Sequence, residues 1–143
     1  MGKTVILTDA ACDITKEQET ELGIRVVPFK VAVGDKSYLP RVDIDNFEFY
    51  KVMDEYEGIP TTSQVTTLEW FDVFEELAED KEISDIITVT ISSHGSATHD
   101  NAIVARKNFF NKHKDRADTL NIHIIDSDNY TGCLLYTSPS PRD

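Results

Sequence analysis

Two stretches of this chain concentrate hydroxyl groups: Pro60-Thr61-Thr62-Ser63-Gln64 and Ser92-Ser93-His94-Gly95-Ser96. Each stands ahead of residues with a helical apolar period. At a helix N-terminus, free backbone N–H groups and the positive end of the dipole favour an anion. Neutral hydroxyls add donors there without adding a fixed charge, so a small anion or a carboxylate is the ligand such loops suit. Ser and Thr are also preferred helix caps, and capping alone accounts for either loop taken singly. A third segment, Thr8-Asp9-Ala10-Ala11-Cys12-Asp13, carries two carboxylates. Asp9 and Asp13 can hold Mg²⁺ for a hydrolase; alternatively Asp9 orders the loop and Asp13 starts the next helix.

The remaining reactive side chains form no recognisable set. His94 and His99 share a helix start without a clear third ligand, and no metal is expected. His113 sits among lysines near a helix end, where a cation is favourable, and His123 alternates with isoleucines and is expected to face outward. Cys12 is expected to lack any nearby cation to lower its pKa and reads as a buried, inert thiol. The Lys107–Lys114 cluster suits a solvated helix terminus or, in a regulatory module, a docking patch. The chain has no Gly-x-Ser-x-Gly elbow, phosphate-binding Walker loop, Gly-x-Gly-x-x-Gly or Cys-x-x-Cys, and no cofactor is expected.

The elements that must position these residues follow from periodicity. Val5-Ile6-Leu7 reads as a buried strand, and Thr15 to Leu22 as a short polar helix closed by Gly23. Ile24 to Val33 reads as extended, with a break at Pro28; Gly34-Asp35-Lys36 turns it into a hairpin arm at Ser37-Tyr38-Leu39. Asp45 with Glu48 starts a helix running through Phe47, Tyr50, Val52 and Met53 to Tyr56. Thr66 with Glu69 repeats that signal before the stripe Trp70, Phe71, Phe74 and Leu77. Ile86 to Ile91 is the strongest strand, a helix spans Ala97 to the Lys-rich segment at Lys112 to Lys114, and Ile122 to Ile125 closes as a strand. Alternating strands and helices imply an α/β fold with a mainly parallel sheet flanked by helices. In such sheets, ligands collect beyond the carboxyl ends of the strands. Residues 8–13, 92–96 and 126–129 fall there, and the loop at 60–64 can reach the same edge.

Composition limits the partners. The chain has 143 residues and a formal net charge of −12, which excludes nucleic acid and an anionic membrane surface as electrostatic partners. No apolar run is long enough to insert stably in a bilayer. Asp9 and Asp13 interrupt any signal-peptide core, and Ile6 stands where myristoylation needs Ser or Thr, so a cytoplasmic location is expected. From Cys133 the chain reads Cys-Leu-Leu-Tyr-Thr-Ser-Pro-Ser-Pro-Arg-Asp, the translation of a transposase adapter used in short-read sequencing libraries. Residues 133–143 are therefore expected to be a non-native tail, residues 1–132 the native part, and the natural protein to continue beyond about Gly132.

The order of motifs adds a resemblance. Thr8-Asp9-Ala10-Ala11-Cys12-Asp13, Leu22-Gly23-Ile24-Arg25-Val26-Val27-Pro28, Gly34-Asp35 with Tyr38, and Phe49-Tyr50 resemble the DegV family. Pro60-Thr61-Thr62-Ser63-Gln64, Ile91-Ser92-Ser93 and Ile125-Asp126-Ser127 continue the likeness in order, over residues 3–132. The resemblance implies the N-terminal lobe of a two-lobed α/β protein that binds one long-chain fatty acid in a buried tunnel. It implies a carrier, not an enzyme, that presents the carboxylate to a fatty acid kinase for acyl-phosphate formation in phospholipid synthesis. It assigns the carboxylate to Thr62 and Ser93, with Ser63, Ser92 and Ser96 of the same loops in support. The chain departs from the family pattern at Ala10, where Ser is usual, and at Val65, where Pro is usual. Gly95-Ser96-Ala97-Thr98 replaces Leu-Ser-Gly-Thr, removing apolar bulk at Gly95 and backbone freedom at Ala97.

Overall fold

The computed structural model describes residues 2–130; the expected adapter tail at 133–143 lies outside them. A four-stranded, wholly parallel sheet carries the main core. Its order is β2 (Ile24–Val27), β1 (Lys3–Asp9), β6 (Ile83–Thr90), β7 (Asn121–Asp126). Leu7 stands opposite Thr88, which in turn stands opposite Ile124. Side chains alternate between the faces of each strand, and the sheet is packed on both sides. On one face Leu7 and Ile86 meet Trp70, Phe74, Ala102, Ala105 and Phe109 from α3 (Thr67–Glu79) and α4 (Thr98–Lys112). On the other, Val89, Ile87 and Ile125 pack with Cys12 and Ile14. Trp70 and Phe74 are one helical turn apart and fully buried, their rings stacked 6.1 Å between centroids.

The helix boundaries follow the capping chemistry. Thr15 and Thr66 each form a complete capping box, with Gln18 and Glu69, before α1 (Lys16–Leu22) and α3. Gly23 closes α1 at φ +64°, the left-handed backbone that only glycine takes without strain.

The structure departs from expectation at four places. A second sheet, three-stranded and antiparallel, joins β4 (Lys36–Tyr38), β3 (Val31–Val33) and β5 (Thr61–Thr62). The Thr-Thr segment, expected as pure loop, thus includes a strand: Thr62 pairs with Val31 and Thr61 with Ala32. Two β-branched residues beside the free edge of the β3–β4 hairpin satisfy that edge's backbone groups. Next, α2 (Asn46–Asp54) stops before Tyr56 and leaves Phe47 83% and Tyr50 65% exposed. The segment after β1 is a 3₁₀ turn, Ala10–Cys12, rather than a loose loop. Finally, Asp13 does not start α1: it sits at φ +55° as the C-cap of that turn, and Thr15 caps the helix.

Candidate ligand site at the strand carboxyl ends

β1, β6 and β7 deliver the segments 8–13, 92–96 and 126–129 to one edge. Asp9, the last residue of β1, is fully buried. Its Oδ1 accepts from Ala11 N at 3.0 Å and its Oδ2 from Ile91 N at 2.7 Å. Burial pushes its carboxyl above the ordinary value, and the N–H groups of Ile91 and Ala11 pull it part of the way back. Each oxygen accepts a backbone N–H, so Asp9 joins the ends of β1 and β6 and orders its loop. Among the described residues no three His, Cys, Asp or Glu side chains gather as a metal site.

Beyond β6 the chain turns sharply, with Gly95 N donating to Ser92 O at 3.1 Å. The segment after β7 holds this turn. Ser92 N donates to Asn129 O at 3.1 Å, and Ser93 N to both Asp126 oxygens at 3.2 Å. Burial works upward on the Asp126 carboxyl but is outweighed by hydrogen bonds from Ser93 and the Asp128 N–H and by the charge of His99. The group is held below the ordinary carboxylate value.

The two hydroxyl-rich loops meet through the start of α4. Buried Thr98 accepts from Val65 N at 3.3 Å through Oγ1, which also lies 2.9 Å from Ser96 Oγ. Thr98 O accepts from the Trp70 indole N–H at 3.2 Å, and Asn101 Nδ2 donates to Val65 O at 2.9 Å. Val65 directly follows Gln64, so this network fixes the Thr-Ser loop against the Ser-Ser turn. The other side of that loop is tied to the residue before β3: Ser63 N donates to Lys30 O at 2.9 Å.

The hydroxyls differ in their commitments. Ser92 is buried and its Oγ accepts from His94 N; Ser96 Oγ accepts from Thr98 N; Ser63 Oγ donates weakly to Lys30 O at 3.4 Å. These three brace the loops. Thr62 is exposed and Ser93 half-buried. Lys30, whose carbonyl accepts from Ser63 N, pairs through its ammonium with Glu69 at 3.2 Å.

The remaining reactive side chains have partners of their own. His99 Nδ1 lies 2.9 Å from Thr90 Oγ1, whereas His94 faces Asp128 at 3.9 Å, so the two histidines have separate partners. His113 stacks on Phe109 and lies 2.6 Å from Glu75. His123 is exposed on its strand, as its alternation with isoleucines requires. Lys112 also pairs with Glu75, at 2.6 Å, and stands 5.3 Å over the Phe71 ring. Cys12 is buried, and burial raises its thiol pKa despite the opposing charge of Arg41; the expectation that no cation stands near it is thereby corrected. Sequence reasoning missed Arg41, at φ +75°, whose guanidinium donates to Ile14 O and pairs with Glu19 at 2.7 Å. No local pattern signals it, because its partners lie 27 and 22 residues earlier. It borders a cleft of about 890 Å³ lined also by Ala10, Asp13, Phe29 and Phe47, which neither Thr62 nor Ser93 lines.

The described residues form an α/β lobe, a parallel sheet with a hydroxyl-bearing turn at its carboxyl edge and a small antiparallel sheet that carries Thr61 and Thr62. The chain belongs to the DegV family, whose model, described as an uncharacterised protein family, matches residues 3–136. A DegV domain-containing protein of Caldanaerobacter subterraneus subsp. tengcongensis is 36% identical over 131 residues, 92% of this chain and 43% of the relative. Among solved structures, a stearic-acid-binding protein from Eubacterium ventriosum superposes with a TM-score of 0.80 at 29% identity. That match covers 94% of this chain and 45% of the other. The fatty acid kinase B3 protein of Streptococcus pneumoniae, loaded with linoleic acid, superposes at 0.71 with 20% identity, covering 90% and 43%. The chain spans less than half the length of each of these proteins. No helix among the described residues is long and apolar enough to cross a membrane.

Proposed function

We propose that this chain is the N-terminal lobe of a cytoplasmic protein that binds one long-chain fatty acid and holds its carboxylate at Thr62 and Ser93. In this proposal residues 1–132 are native and 133–143 are an adapter-encoded tail. The observation that carries the reading is the hydrogen-bonded joint Val65–Thr98–Ser96, which fixes two hydroxyl loops to one another. The Lys30 ammonium is engaged by Glu69 at 3.2 Å. Hydroxyls orient a carboxylate through hydrogen bonds yet leave its charge unquenched. An oxygen so held remains a nucleophile toward the γ-phosphorus of ATP on a fatty acid kinase, giving acyl phosphate and ADP for phospholipid synthesis. The chain itself then performs no catalysis: it orients the substrate and covers the tail. Stearic-acid binding by the Eubacterium ventriosum protein and linoleic-acid loading of the Streptococcus pneumoniae kinase component support this assignment.

The test uses the complete gene product, delipidated and mixed with oleate, a bacterial fatty acid kinase and ATP. Acyl phosphate trapped by hydroxylamine as the hydroxamate is expected, and Thr62→Ala/Ser93→Ala should abolish it. Oleate uptake without acyl phosphate would remove the kinase role and keep the carrier; no uptake of any chain length would remove both.

A further inference from the structure

Tyr130 lies against Gly95, in the turn that carries Ser93 and Ser96. A Cβ at position 95 would collide with the phenol oxygen and stand 2.8 Å from Cζ, so the approach exists only because residue 95 is glycine. The approach is held from both sides. Ser92 N is bonded to Asn129 O, the residue before Tyr130, and Ser127 Oγ donates to the same carbonyl at 3.1 Å. Asn129 N donates in turn to Ser127 Oγ at 3.1 Å. The backbone just before Tyr130 is thus tied to the Ser-Ser turn, while Tyr130 itself stays 49% exposed. A phenol is a neutral donor, the same chemistry as the hydroxyls of Thr62 and Ser93, and unlike them it adds a broad apolar ring.

We propose that Tyr130 is a third carboxylate-binding residue, donating its phenolic hydroxyl to the ligand beside Ser93 and filling with its ring the space left by Gly95. This rests on the fatty-acid reading above and goes beyond it, because it assigns a residue that neither the motif pattern nor the hydroxyl loops contain. Gly95 and Tyr130 act as a pair: glycine makes room and tyrosine supplies both bulk and a donor.

The test uses the complete, delipidated gene product, titrated with stearate and with stearyl alcohol, which has the same chain but no carboxylate. Tyr130→Phe keeps the ring and removes only the hydroxyl. A hydrogen bond to a charged group corresponds to a loss of about tenfold or more. Stearate affinity should therefore fall about tenfold in Tyr130→Phe, while alcohol affinity stays within about twofold and Tm is unchanged. Gly95→Leu displaces the phenol from its seat and should lower stearate affinity to a similar degree. The double variant should then lose little more than either single one, because both remove one interaction. Equal losses for acid and alcohol, or full stearate affinity in Tyr130→Phe, would overturn the role of Tyr130 while leaving the carrier reading intact. Failure of the unsubstituted protein to bind stearate would overturn both.

Discussion

Thr98→Val tests the joint between the two hydroxyl loops with almost no change of shape. Thr98 is 2% exposed and Val65 is fully buried, so water cannot replace the lost oxygen. Without Oγ1, the Val65 N–H is left without its acceptor, and an unsatisfied buried donor costs about 1–3 kcal/mol. Ser96 Oγ loses one neighbour as well but keeps the Thr98 N–H. For a chain of this length, with an unfolding entropy of about 2.1 cal/mol/K per residue, that cost lowers Tm by about 3–10 °C. Thermal unfolding by circular dichroism measures the drop, and amide hydrogen exchange by NMR locates it. The Val65 amide should exchange faster than in the parent relative to the global opening rate, while the Ile91 amide, held by Asp9, should not. Thr98→Ser keeps the oxygen and should restore protection at Val65. Unchanged Tm together with unchanged Val65 protection would refute the argument that this bond fixes the loops.

Other expectations follow from single residues. Asp126 has a folded pKa below its ordinary value, so its contribution is fully present above that ordinary value, about 3.9, and is lost as pH falls through the lower folded one. Asp126→Asn should therefore lower Tm at pH 7, and the gap to the parent should close as pH falls below about 4; a constant gap would contradict the assignment. Gly23→Ala should cost about 1–2 kcal/mol from backbone strain alone, since no atom lies within 4 Å of the added methyl; urea unfolding measures it. In a Cys133→Ser background, Cys12 should react with iodoacetamide at least about a hundredfold slower in the native protein than in urea, because a buried thiol reacts only through opening. Rapid native labelling would contradict its burial.

The legible parts of the fold were those fixed by local chemistry. Val5-Ile6-Leu7 and Ile86 to Ile91 declare strands because β-branched runs fit a pleated, buried surface. Thr15, Gly23 and Thr66 declare helix ends because they satisfy orphan N–H and C=O groups close in sequence. What sequence did not disclose depends on distant partners. Thr61 and Thr62 become a strand only because β3 presents an edge some thirty residues earlier. Asp13 looks like a helix cap, yet the turn after β1 takes it into a left-handed backbone and leaves capping to Thr15. The hydroxyl loops were visible by composition, and parallel topology places the Ser-Ser turn at the strand carboxyl ends, whereas the Thr-Ser loop is carried by the antiparallel sheet. Their connection was hidden, because Thr98 and Val65 are 33 residues apart and neither carries a local signal. Arg41 was hidden for the same reason.

Whether the complete gene product carries a fatty acid is read by native mass spectrometry of protein purified from bacteria without added lipid. One bound fatty acid per chain is expected, retained in the unsubstituted protein and lost in Thr62→Ala/Ser93→Ala while both remain folded. A well-folded protein free of lipid, or one whose lipid survives both substitutions, would contradict that expectation.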